Sequence, residues 1–446
     1  MLARRVAEEA HGTLSRAWRA TAGRGAAGDE VVPDVTRLAG IRRQADAALA
    51  ENILPFWASH AWDEVEGGFI THLDRIGRRL GPTDKYLVPQ TRLVWTLSAA
   101  HRHGLVDKGY LELAGQGARF LIDRMWDPKT GGFVWAVHRD GRPLVTHKRI
   151  YGQAFAIYAL SEYALAAENA WARDWAVRAL DVLVERAGDG DLGFRERFDA
   201  GWAPLPEPAG SAKSLNVHLH LMEALTTLVE ATRDPRHVAR LRSVLDLVLT
   251  RGVDVRRHCT IDDRFDREWH RLSRWRWVVA VNYGHAAELA WLAGRAVEVL
   301  GDPPAHVHEC ALGLVDHALT YGFDRRRGGV AIGGPPVGSA RLAWYLPSAW
   351  RNKRWWDQAE LLVATLVVYQ WTREPRYLAA FGRQFDWVWA HQIDHEGGDW
   401  FEVTAWRDGR PLSLVKGHEW KDPYHGARAL MEVSRGLGAL LSPVAR

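Results

Sequence analysis

The stretch Asp-Pro-Lys-Thr-Gly-Gly-Phe at Asp127–Phe133 recurs at Asp63–Phe69 as Asp-Glu-Val-Glu-Gly-Gly-Phe. The separation of the two copies is the length of two helices with their connections, which is typical of a repeated structural unit. Related turns occur at Gly190–Phe194, Asp324–Val330 and Asp394–Trp400. Segments with alternating polarity follow the glycine pairs, and some end in Asp-Gly, a favoured hairpin turn. We therefore expect short β-hairpins in the connections.

Between these turns the chain has the periodicity of helices. Apolar residues recur at the spacing of one helix face in about twelve stretches. These stretches are Ile41–Trp57, Thr91–His103, Tyr110–Trp126, Tyr151–Ala166, Ala172–Arg186, Leu215–Ala231, Pro235–Leu249, Gly284–Leu300, His306–Tyr321, Trp355–Trp371, Arg376–His391 and Tyr424–Leu440. The pattern predicts an all-α fold in which six helical hairpins form a closed ring. The second helix of each hairpin is apolar on all sides, which predicts an inner position.

Composition limits the classes of protein to consider. The chain has 446 residues, of which 47% are apolar and 25% charged, as in ordinary globular proteins. The net charge of +4 is spread along the chain without a basic patch, so nucleic acid is not an expected partner. No apolar run is long enough to cross a membrane. We expect residues 1–36 to be a partly disordered extension and residues 37–446 to be a single domain.

The counts of cysteine and tryptophan add two expectations. Cys259 and Cys310 are too few for a disulfide framework and lack metal-ligand spacing, so we expect buried thiols in a reducing compartment. The absence of a signal-like apolar segment near Met1 favours a cytoplasmic location. The 23 tryptophans are the unusual feature. Their flat apolar faces suit either helix packing or the stacking of sugar rings.

Three histidines, His220, His285 and His425, occur near the starts of predicted inner helices. Histidine titrates near neutral pH, so these residues are candidate acids and bases. Asn216 precedes His220 by one turn, and Glu288 follows His285 at a spacing that lets a carboxylate accept an imidazole N–H. If the inner helices start at one mouth of the ring, these residues meet in one pocket.

The pair His218 and His220 has the His-x-His pattern that binds metal on strands, where both side chains share a face. On a helix the two side chains point in different directions, and no third ligand is clustered nearby. We therefore expect no metal site, and we interpret His218 as a packed or exposed bystander. Dinucleotide, Walker A and other nucleotide-binding motifs are absent from the sequence, so no cofactor is expected.

Arg92 lies on an otherwise apolar helix, where an unpaired guanidinium would be costly. It could pair with a buried carboxylate such as Glu288 or Glu360, or it could stabilise an oxyanion in the pocket. The sequence leaves both possibilities open, and both place Arg92 inside the ring.

The segment around Trp355 and Trp356 offers two aromatic faces at the start of a helix. A sugar could stack on one of them while Gln358 or Glu360 binds its hydroxyl groups; core packing is the alternative. Tyr151 is a weaker candidate of the same kind. These residues complete the set expected to surround a small polar substrate.

The motifs that contain these residues resemble those of the N-acylglucosamine 2-epimerase superfamily, most closely its cellobiose 2-epimerase branch. The resemblance extends from about Ile41 to about Leu440. It rests on six motifs in the family's order: K-x(6)-R-x-x-W at Lys85–Trp95, Y-x-x-A-F-A-I-Y-A-L-S-E-Y at Tyr151–Tyr163, N-x-H-L-H-x-x-E-A at Asn216–Ala224, G-H-x-x-E at Gly284–Glu288, W-W-x-Q-A-E at Trp355–Glu360 and W-K-x-P-Y-H at Trp420–His425.

The resemblance implies an (α/α)6 barrel and a cofactor-independent epimerase or isomerase that acts on the reducing-end sugar of an aldose. It implies that His285 and His425 are the acid/base pair, that His220 assists ring opening, and that Arg92 stabilises the enediolate oxygen. It also implies a set of residues that hold the sugar: Asn216, Glu288, Trp356 and Trp420. A monomer or a homodimer is expected, since dimers are the commonest soluble oligomers.

Some residues depart from the pattern of cellobiose epimerases, among them Asp422, Gly426 and the segment Gly328–Trp350. The resemblance therefore does not specify a disaccharide. Two other classes of protein are compatible with helical repeats. A glycoside hydrolase would need two carboxylates across the scissile bond, and a non-catalytic scaffold would bind a partner on a concave surface.

Overall fold

The computed structural model describes residues 31–106, 108–206, 211–254, 260–261, 264–272, 281–301, 305–334 and 348–442. Helices dominate these ranges, and strands are short and lie in the connections, which confirms the prediction of an all-α fold with small β-hairpins. The α-helices are α1 (Val35–Ala47), α2 (Leu54–His60), α3 (Leu87–Arg102), α4 (Lys108–Phe120), α5 (Ile150–Ala166), α6 (Ala170–Ala187), α7 (Leu215–Thr232), α8 (Pro235–Leu247), α9 (Tyr283–Leu300), α10 (Ala305–Tyr321), α11 (Trp355–Thr372), α12 (Pro375–Trp387) and α13 (Tyr424–Leu441).

Two sets of helices alternate along the chain. The inner helices are α3, α5, α7, α9, α11 and α13; each contacts the next one, and α13 contacts α3. The outer helices α4, α6, α8, α10 and α12 each pack against the inner helix that precedes them, and α1 packs against α13. The order of inner and outer helices agrees with the prediction from periodicity.

Burial explains this division. Nearly every residue of α5 is buried, as expected for a helix that contacts neighbours on all sides. The outer helix α12 buries one face, which includes Tyr377, Phe381 and Phe385, and leaves the other in solvent. Among the residues with described positions, no helix has the length and apolar character needed to cross a membrane.

Short strands connect an outer helix to the next inner helix. They are β1 (Lys85–Tyr86), β2 (Ala136–Val137), β3 (Pro143–Val145), β4 (Lys148–Arg149), β5 (Arg197–Phe198), β6 (Lys213–Ser214), β7 (Val253–Asp254), β8 (Thr260–Ile261), β9 (Arg264–Phe265), β10 (Val281–Asn282), β11 (Gly333–Gly334), β12 (Lys353–Arg354) and β13 (Val403–Thr404). Strands β1, β2 and β3 form one sheet, and the two-stranded pairs are β4–β5, β6–β9, β7–β8, β10–β11 and β12–β13. The pairs are antiparallel, and most have a member directly before an inner helix.

The recurring turns are held by buried ion pairs. In the turn after α4, Lys148 Nζ donates to Asp127 Oδ2 at 2.9 Å, and Gly131 and Gly132 have φ values of 75° and 74°, which favour glycine. A buried ammonium group without a counter-ion would be costly, so the lysine before each such helix needs the aspartate of the turn. The same pairing occurs at Lys85–Asp63 and Lys213–Asp189, and in the last turn Asp394 pairs with Lys416.

A second set of contacts attaches the turns to the inner helices. Gln153 on α5 accepts from the backbone N–H of Phe133 and donates to its carbonyl, both at 2.8 Å. The same two contacts join Gln90 to Phe69 and Gln358 to Val330. His218 has this role on α7, where its Nε2 accepts from the N–H of Phe194 at 3.1 Å. His218 is therefore a packed structural residue.

The first described helix begins at Val35 because Asp34 caps it, with its side chain accepting from the N–H of Arg37 at 2.7 Å. This start lies two residues before the predicted domain boundary. The rest of the predicted extension, residues 1–30, lies outside the described residues, as does Cys259. Cys310 is buried on α10, as predicted.

Candidate active site

Polar side chains from the first two turns of several inner helices meet inside the ring. Arg92 on α3, His220 on α7 and His425 on α13 are each at most 5% exposed. Arg92 Nη2 lies 3.4 Å from His425 Nε2, and His220 is near enough for its charge to lower the pKa of His425. Residues that are far apart in sequence therefore form one buried polar group.

His425 is held by a carboxylate from the neighbouring inner helix. Its Nδ1 lies 2.6 Å from Glu360 Oε1, a distance at which the carboxylate accepts the Nδ1–H and leaves Nε2 with a lone pair. Burial, and then the positive charges of Arg92 and Arg428, lower the pKa of His425 well below its usual value. The imidazole is neutral near pH 7 and can act as a base at Nε2.

His220 is held in the same way. Its Nδ1 lies 2.9 Å from Glu223 Oε2, one turn further along α7, and its ring packs against Tyr151 and Phe155 with centroid distances of 5.1 and 4.8 Å. Burial lowers the pKa of His220. A second neutral imidazole, again with Nε2 free to exchange a proton, therefore lies close to the first.

The counter-ion of Arg92 is Asp422, which differs from the carboxylates that the sequence analysis suggested. Its Nη1 lies 3.3 Å from Asp422 Oδ2, and its Nη2 donates to the Tyr151 hydroxyl at 2.9 Å. The suggested pairing with Glu288 or Glu360 is wrong because Arg428 takes both of those carboxylates. Because Asp422 lies 330 positions further along the chain, its nearness to α3 could not be read from periodicity.

Arg428 is the central ion of the site, and the sequence analysis did not give it this role. Its Nη2 donates to Glu288 Oε1 at 2.8 Å and to Glu360 Oε1 at 2.6 Å, and its Nη1 contacts Glu223 and the Tyr424 hydroxyl. One guanidinium thus holds three carboxylates from α7, α9 and α11. Its position one turn after His425 was the available signal, because residues at that spacing share a helix face.

Glu288 has one oxygen that remains available. Burial and the nearby charge of Glu360 raise the pKa of Glu288 well above its usual range, although Arg428 opposes this. Its Oε2 is buried and has no hydrogen-bond partner among the described residues. A neutral carboxyl group with a free oxygen can donate to or accept from a hydroxyl group of a bound molecule.

The atoms of Glu288, Glu360 and His425 lie within 4.8 Å of one another, a spacing that could hold a metal ion. Arg428 Nη2 already hydrogen-bonds to both carboxylates. A metal ion at this position would be repelled by the guanidinium and would have to displace it. The cationic role in this cluster therefore belongs to the arginine.

His285 enters the site from the start of α9. Asn282 caps this helix, and its Oδ1 accepts from the N–H of His285 at 3.0 Å. The imidazole packs against the Trp356 ring at 4.8 Å, and the same indole lies 5.8 Å from the His425 ring. Trp356 thus neighbours both imidazoles, so a ring stacked on the indole would be close to each of them.

Asp357 fixes the relative position of α9 and α11 beside this indole. It is fully buried, it accepts from Arg354 at 2.9 and 3.2 Å, and it also accepts from the backbone N–H of Gly284, which precedes His285. A Cβ atom at position 284 would collide with Asp357 and Trp356. Glycine is therefore required there for the two helix starts to approach.

Replacing Asp357 with asparagine should change how stability depends on pH. Burial raises the pKa of Asp357 from 3.8 to about 6, so the wild-type protein loses stability as pH rises from about 4 to about 6. The variant lacks this loss. As pH rises from 4 to 7, the unfolding free energy of Asp357→Asn should therefore increase relative to that of the wild type. The increase should be about 3 kcal/mol at most, at 1.36 kcal/mol per pKa unit. Urea unfolding at several pH values measures it.

The matched control is Asp63→Asn, because Lys85 and Arg139 hold the pKa of Asp63 below its usual value despite burial. Asp63 adds stability above the ordinary pKa of aspartate, and this contribution is lost as pH falls. The unfolding free energy of Asp63→Asn should therefore decrease relative to that of the wild type as pH rises, opposite to the trend of Asp357→Asn. Equal pH trends for the two variants would contradict the assignment to Asp357.

Two further predicted residues lie around this group. The Oδ1 atom of Asn216, on the first turn of α7, is buried and lacks a hydrogen-bond partner within the described ranges. Trp420 is 40% exposed, and its ring lies 5.9 Å from Tyr151 and 5.7 Å from Trp135. An available amide oxygen and an exposed indole are groups that could contact a bound sugar.

Two predicted substrate-binding residues are corrected. Gln358 is fully buried, and its amide oxygen and nitrogen are both used by the backbone of Val330. Glu360 accepts from His425 and Arg428 through Oε1 and from the Trp291 indole through Oε2. Gln358 therefore holds a turn, and Glu360 positions His425; neither carries a free group for a substrate.

Comparisons with known proteins agree on one family. The N-acylglucosamine 2-epimerase (GlcNAc 2-epimerase) family model matches residues 68–429. A cellobiose 2-epimerase from Bacteroides fragilis is 27% identical, over 88% of this chain and 98% of that protein. A D-mannose isomerase from Marinomonas mediterranea is 25% identical, over 84% of this chain and 92% of that protein. The solved structure of a cellobiose 2-epimerase from Spirochaeta thermophila is 32% identical and covers 91% of this chain and 99% of its own, with a TM-score of 0.81.

Proposed function

The chain belongs to the N-acylglucosamine 2-epimerase family, and on this basis we propose that it interconverts C2 epimers at the reducing end of an aldose without a cofactor. Membership makes it a carbohydrate epimerase of the isomerase class. We further propose that the circuit of inner helices is an (α/α)6 barrel whose pocket is the active site. The observation that carries the proposal is the meeting of two carboxylate-held, neutral imidazoles with a buried guanidinium.

The reaction needs an open-chain sugar first. A proton must reach the ring oxygen while the anomeric hydroxyl loses one, and an imidazole can exchange either proton near pH 7. We assign this step to His220, whose Nδ1 is fixed by Glu223 and whose Nε2 remains available. Opening the ring produces an aldehyde, which makes the hydrogen on C2 acidic.

Epimerisation then moves one proton off C2 and another onto it. The Nε2 atom of one imidazole removes the C2 proton, and the electron pair left on carbon forms the C1=C2 bond of an enediolate with negative charge on O1. A second imidazole, in its protonated form, returns a proton to the opposite face of C2 and restores the aldehyde. We assign His285 and His425 to these two steps, since Trp356 neighbours both rings.

Arg92 is suited to stabilise the enediolate. Its guanidinium lies beside His425 Nε2, the atom that exchanges the proton, and its burial strengthens the attraction to a developing negative charge. The neighbouring Tyr151 hydroxyl stays neutral because burial raises its pKa to about 12. We propose that Arg92 binds O1 and that Tyr151 holds the guanidinium in place.

The remaining residues support binding of a sugar ring. We propose that Trp356 stacks on the ring, that Asn216 Oδ1 and Glu288 Oε2 bind hydroxyl groups, and that Trp420 contacts a group at the mouth of the pocket. The exposed Trp420 ring leaves room for either a monosaccharide or a second sugar unit. The similar cellobiose 2-epimerases make a disaccharide such as cellobiose or mannobiose the first choice, with mannose and glucose next.

Solvent deuterium separates this function from its alternatives. We expect incubation with cellobiose, mannobiose, mannose, glucose or N-acetylglucosamine in deuterated water to yield, for at least one sugar, the C2 epimer with deuterium at C2. Proton and carbon NMR read the position of the label. An aldose–ketose isomerase, which the similar D-mannose isomerase favours as the second candidate, would give a ketose labelled at C1. Release of monosaccharide without label would indicate a glycoside hydrolase and contradict both.

We also propose that the protein works in the cytoplasm as a monomer or a homodimer. The even spread of charge and the two cysteines support this setting. Size-exclusion chromatography with light scattering gives the oligomeric state directly.

A further inference from the structure

A cavity is lined by inner helices, mostly by residues from their C-terminal halves. Its volume is about 310 Å³, and five of the six inner helices, α3, α5, α7, α9 and α13, contribute to its walls. The three candidate acid/base histidines are not part of these walls. Arg92, His220 and His425 lie nearer to the starts of their helices, so the cavity is a separate space at the other end of the ring.

Three side chains separate the cavity from the active site. Glu223, Trp291 and Arg428 line the cavity on one side. On the other side they contact the active-site group: Glu223 holds His220, the Trp291 indole donates to Glu360 at 2.8 Å, and Arg428 holds the carboxylates. Each of these three side chains is tied to the active-site group by a hydrogen bond, so a molecule in the cavity would have to displace them to reach the histidines.

The charges of the walls cancel. The lining contains four arginines and four glutamates, and these pair with one another. Arg102 Nε lies 2.7 Å from Glu162 Oε1, and Arg295 contacts Glu230. A ligand with a net charge would have to compete with these pairs, whereas a neutral molecule with many hydroxyl groups finds both donors and acceptors.

The inner part of the cavity offers aromatic faces and an unused donor. Trp95, Tyr158 and Trp291 line it, and the Trp95 Nε1 atom is buried and lacks a hydrogen-bond partner among the described residues. Trp95 itself is 6% exposed. Burial raises the pKa of Glu162 to about 7, although the charge of Arg102 opposes this shift. Arg428 lies over the Trp291 ring and Tyr158 packs on Trp95, so these rings offer apolar contact to the C–H groups of a sugar at their edges.

The volume sets the size of the ligand. Ligand pockets in proteins start at roughly 300 Å³, and a water molecule occupies about 30 Å³ in the liquid, so the cavity has room for about ten waters or one small ring with its hydroxyl groups. Arg102 and Arg435 at the rim have 37% and 48% of their side chains exposed, which leaves a path to solvent.

We propose that this cavity is a second binding site, distinct from the active site, for a neutral polyhydroxylated molecule the size of a monosaccharide. The inference goes beyond the proposed epimerase activity and does not depend on it. Glu223 and Trp291 lie between the cavity and the active site. A molecule bound in the cavity would therefore contact side chains that position His220 and His425.

Calorimetric titration with a sugar that cannot react tests the proposal. Methyl α-D-glucopyranoside has a blocked anomeric carbon, so the enzyme cannot open its ring. The titration uses the Trp356→Ala protein, in which the stacking face of the active site is removed. We expect saturable binding in this protein, and its loss when Ala99→Phe is added, since a phenyl ring from Ala99 would occupy the cavity.

Two controls make the result decisive. Thr227→Leu is a milder substitution in the same wall and should weaken binding at least about tenfold, which equals 1.4 kcal/mol. Circular dichroism and urea unfolding of the Ala99→Phe and Thr227→Leu single variants confirm folding. Methyl α-D-glucopyranosiduronate, the anionic analogue, should bind more weakly than the neutral sugar.

Three outcomes would overturn the proposal. They are no saturable binding of the neutral sugar, unchanged binding in folded Ala99→Phe and Thr227→Leu proteins, and tighter binding of the anionic analogue. If the protein lacked epimerase activity altogether, these titrations would still decide whether the cavity binds a sugar, so the two proposals fail separately.

Discussion

Replacing His425 with alanine should slow exchange of the C2 proton of a reactive sugar by about 10²–10⁴-fold, the usual contribution of a general acid or base. The physical reason is that Nε2 of this imidazole is the basic atom beside Arg92, while its Nδ1 is held by Glu360. His285→Ala should have a comparable effect. The rate of deuterium incorporation, followed by NMR in deuterated water, measures the loss directly.

The matched control is His218→Gln. His218 lies two residues from His220 on the same helix, but its Nε2 binds the backbone of Phe194, a role that Gln90 and Gln153 have in other repeats. Glutamine should therefore keep the fold and leave the exchange rate close to that of the wild type. A folded His425→Ala protein with the wild-type exchange rate would refute the proposed mechanism.

The pH profile supplies an independent check on His425. Burial and the charges of Arg92 and Arg428 hold its pKa well below 6.5, so it stays deprotonated and able to act as a base at pH values where an ordinary histidine is charged. We expect the acid limb of the kcat/KM profile to lie below the usual range of histidine. An acid limb at or above that range would contradict the assignment of the base.

Arg428→Met should lower the free energy of unfolding by about 3–5 kcal/mol, the cost of leaving buried charges without their partner. Arg428 is 2% exposed and contacts Glu223, Glu288 and Glu360. Methionine has a similar length but no charge, so three buried carboxylates would remain together. Urea unfolding of the variant and the wild type measures the difference.

The sign of the pH dependence follows from the same charges. Without Arg428 the pKa of Glu288 rises further and the pKa of Glu223 loses one cause of its lowering, so the folded state binds more protons near neutral pH than it does in the wild type. The variant should lose stability relative to the wild type as pH rises and recover part of it as pH falls. A deficit that is independent of pH would indicate lost packing instead of uncompensated charge.

Arg435→Met on the same helix is the control. Its side chain is 48% exposed and pairs with Glu432 three residues earlier, an arrangement that contributes about 0.5 kcal/mol or less. The double variant Arg428→Met with Glu223→Gln should be less destabilised than the sum of the two single variants, because it removes one of the stranded charges. Additive losses would show that Glu223 and Arg428 do not stabilise each other.

Local sequence patterns were sufficient to predict the helices and the turns between them. The copies of Asp-x-x-x-Gly-Gly predicted the repeat because glycine is needed at positive φ, and the apolar periodicity separated inner from outer helices. The same reasoning failed for Gln358. A glutamine on an inner helix looks like a polar group facing a pocket, and only the contact with Val330, 28 residues earlier, shows that it holds a turn.

The sequence by itself determined the all-α architecture and the positions of the histidines near the starts of inner helices, because periodicity and turn residues act over a few residues. The tertiary structure decided which side chains pair. Arg92 meets Asp422 across 330 positions, and Arg428 meets Glu223 across 205. These pairs form because closing the ring buries charges that have to be neutralised, and the choice among several carboxylates depends on distances that exist only once all six inner helices are assembled.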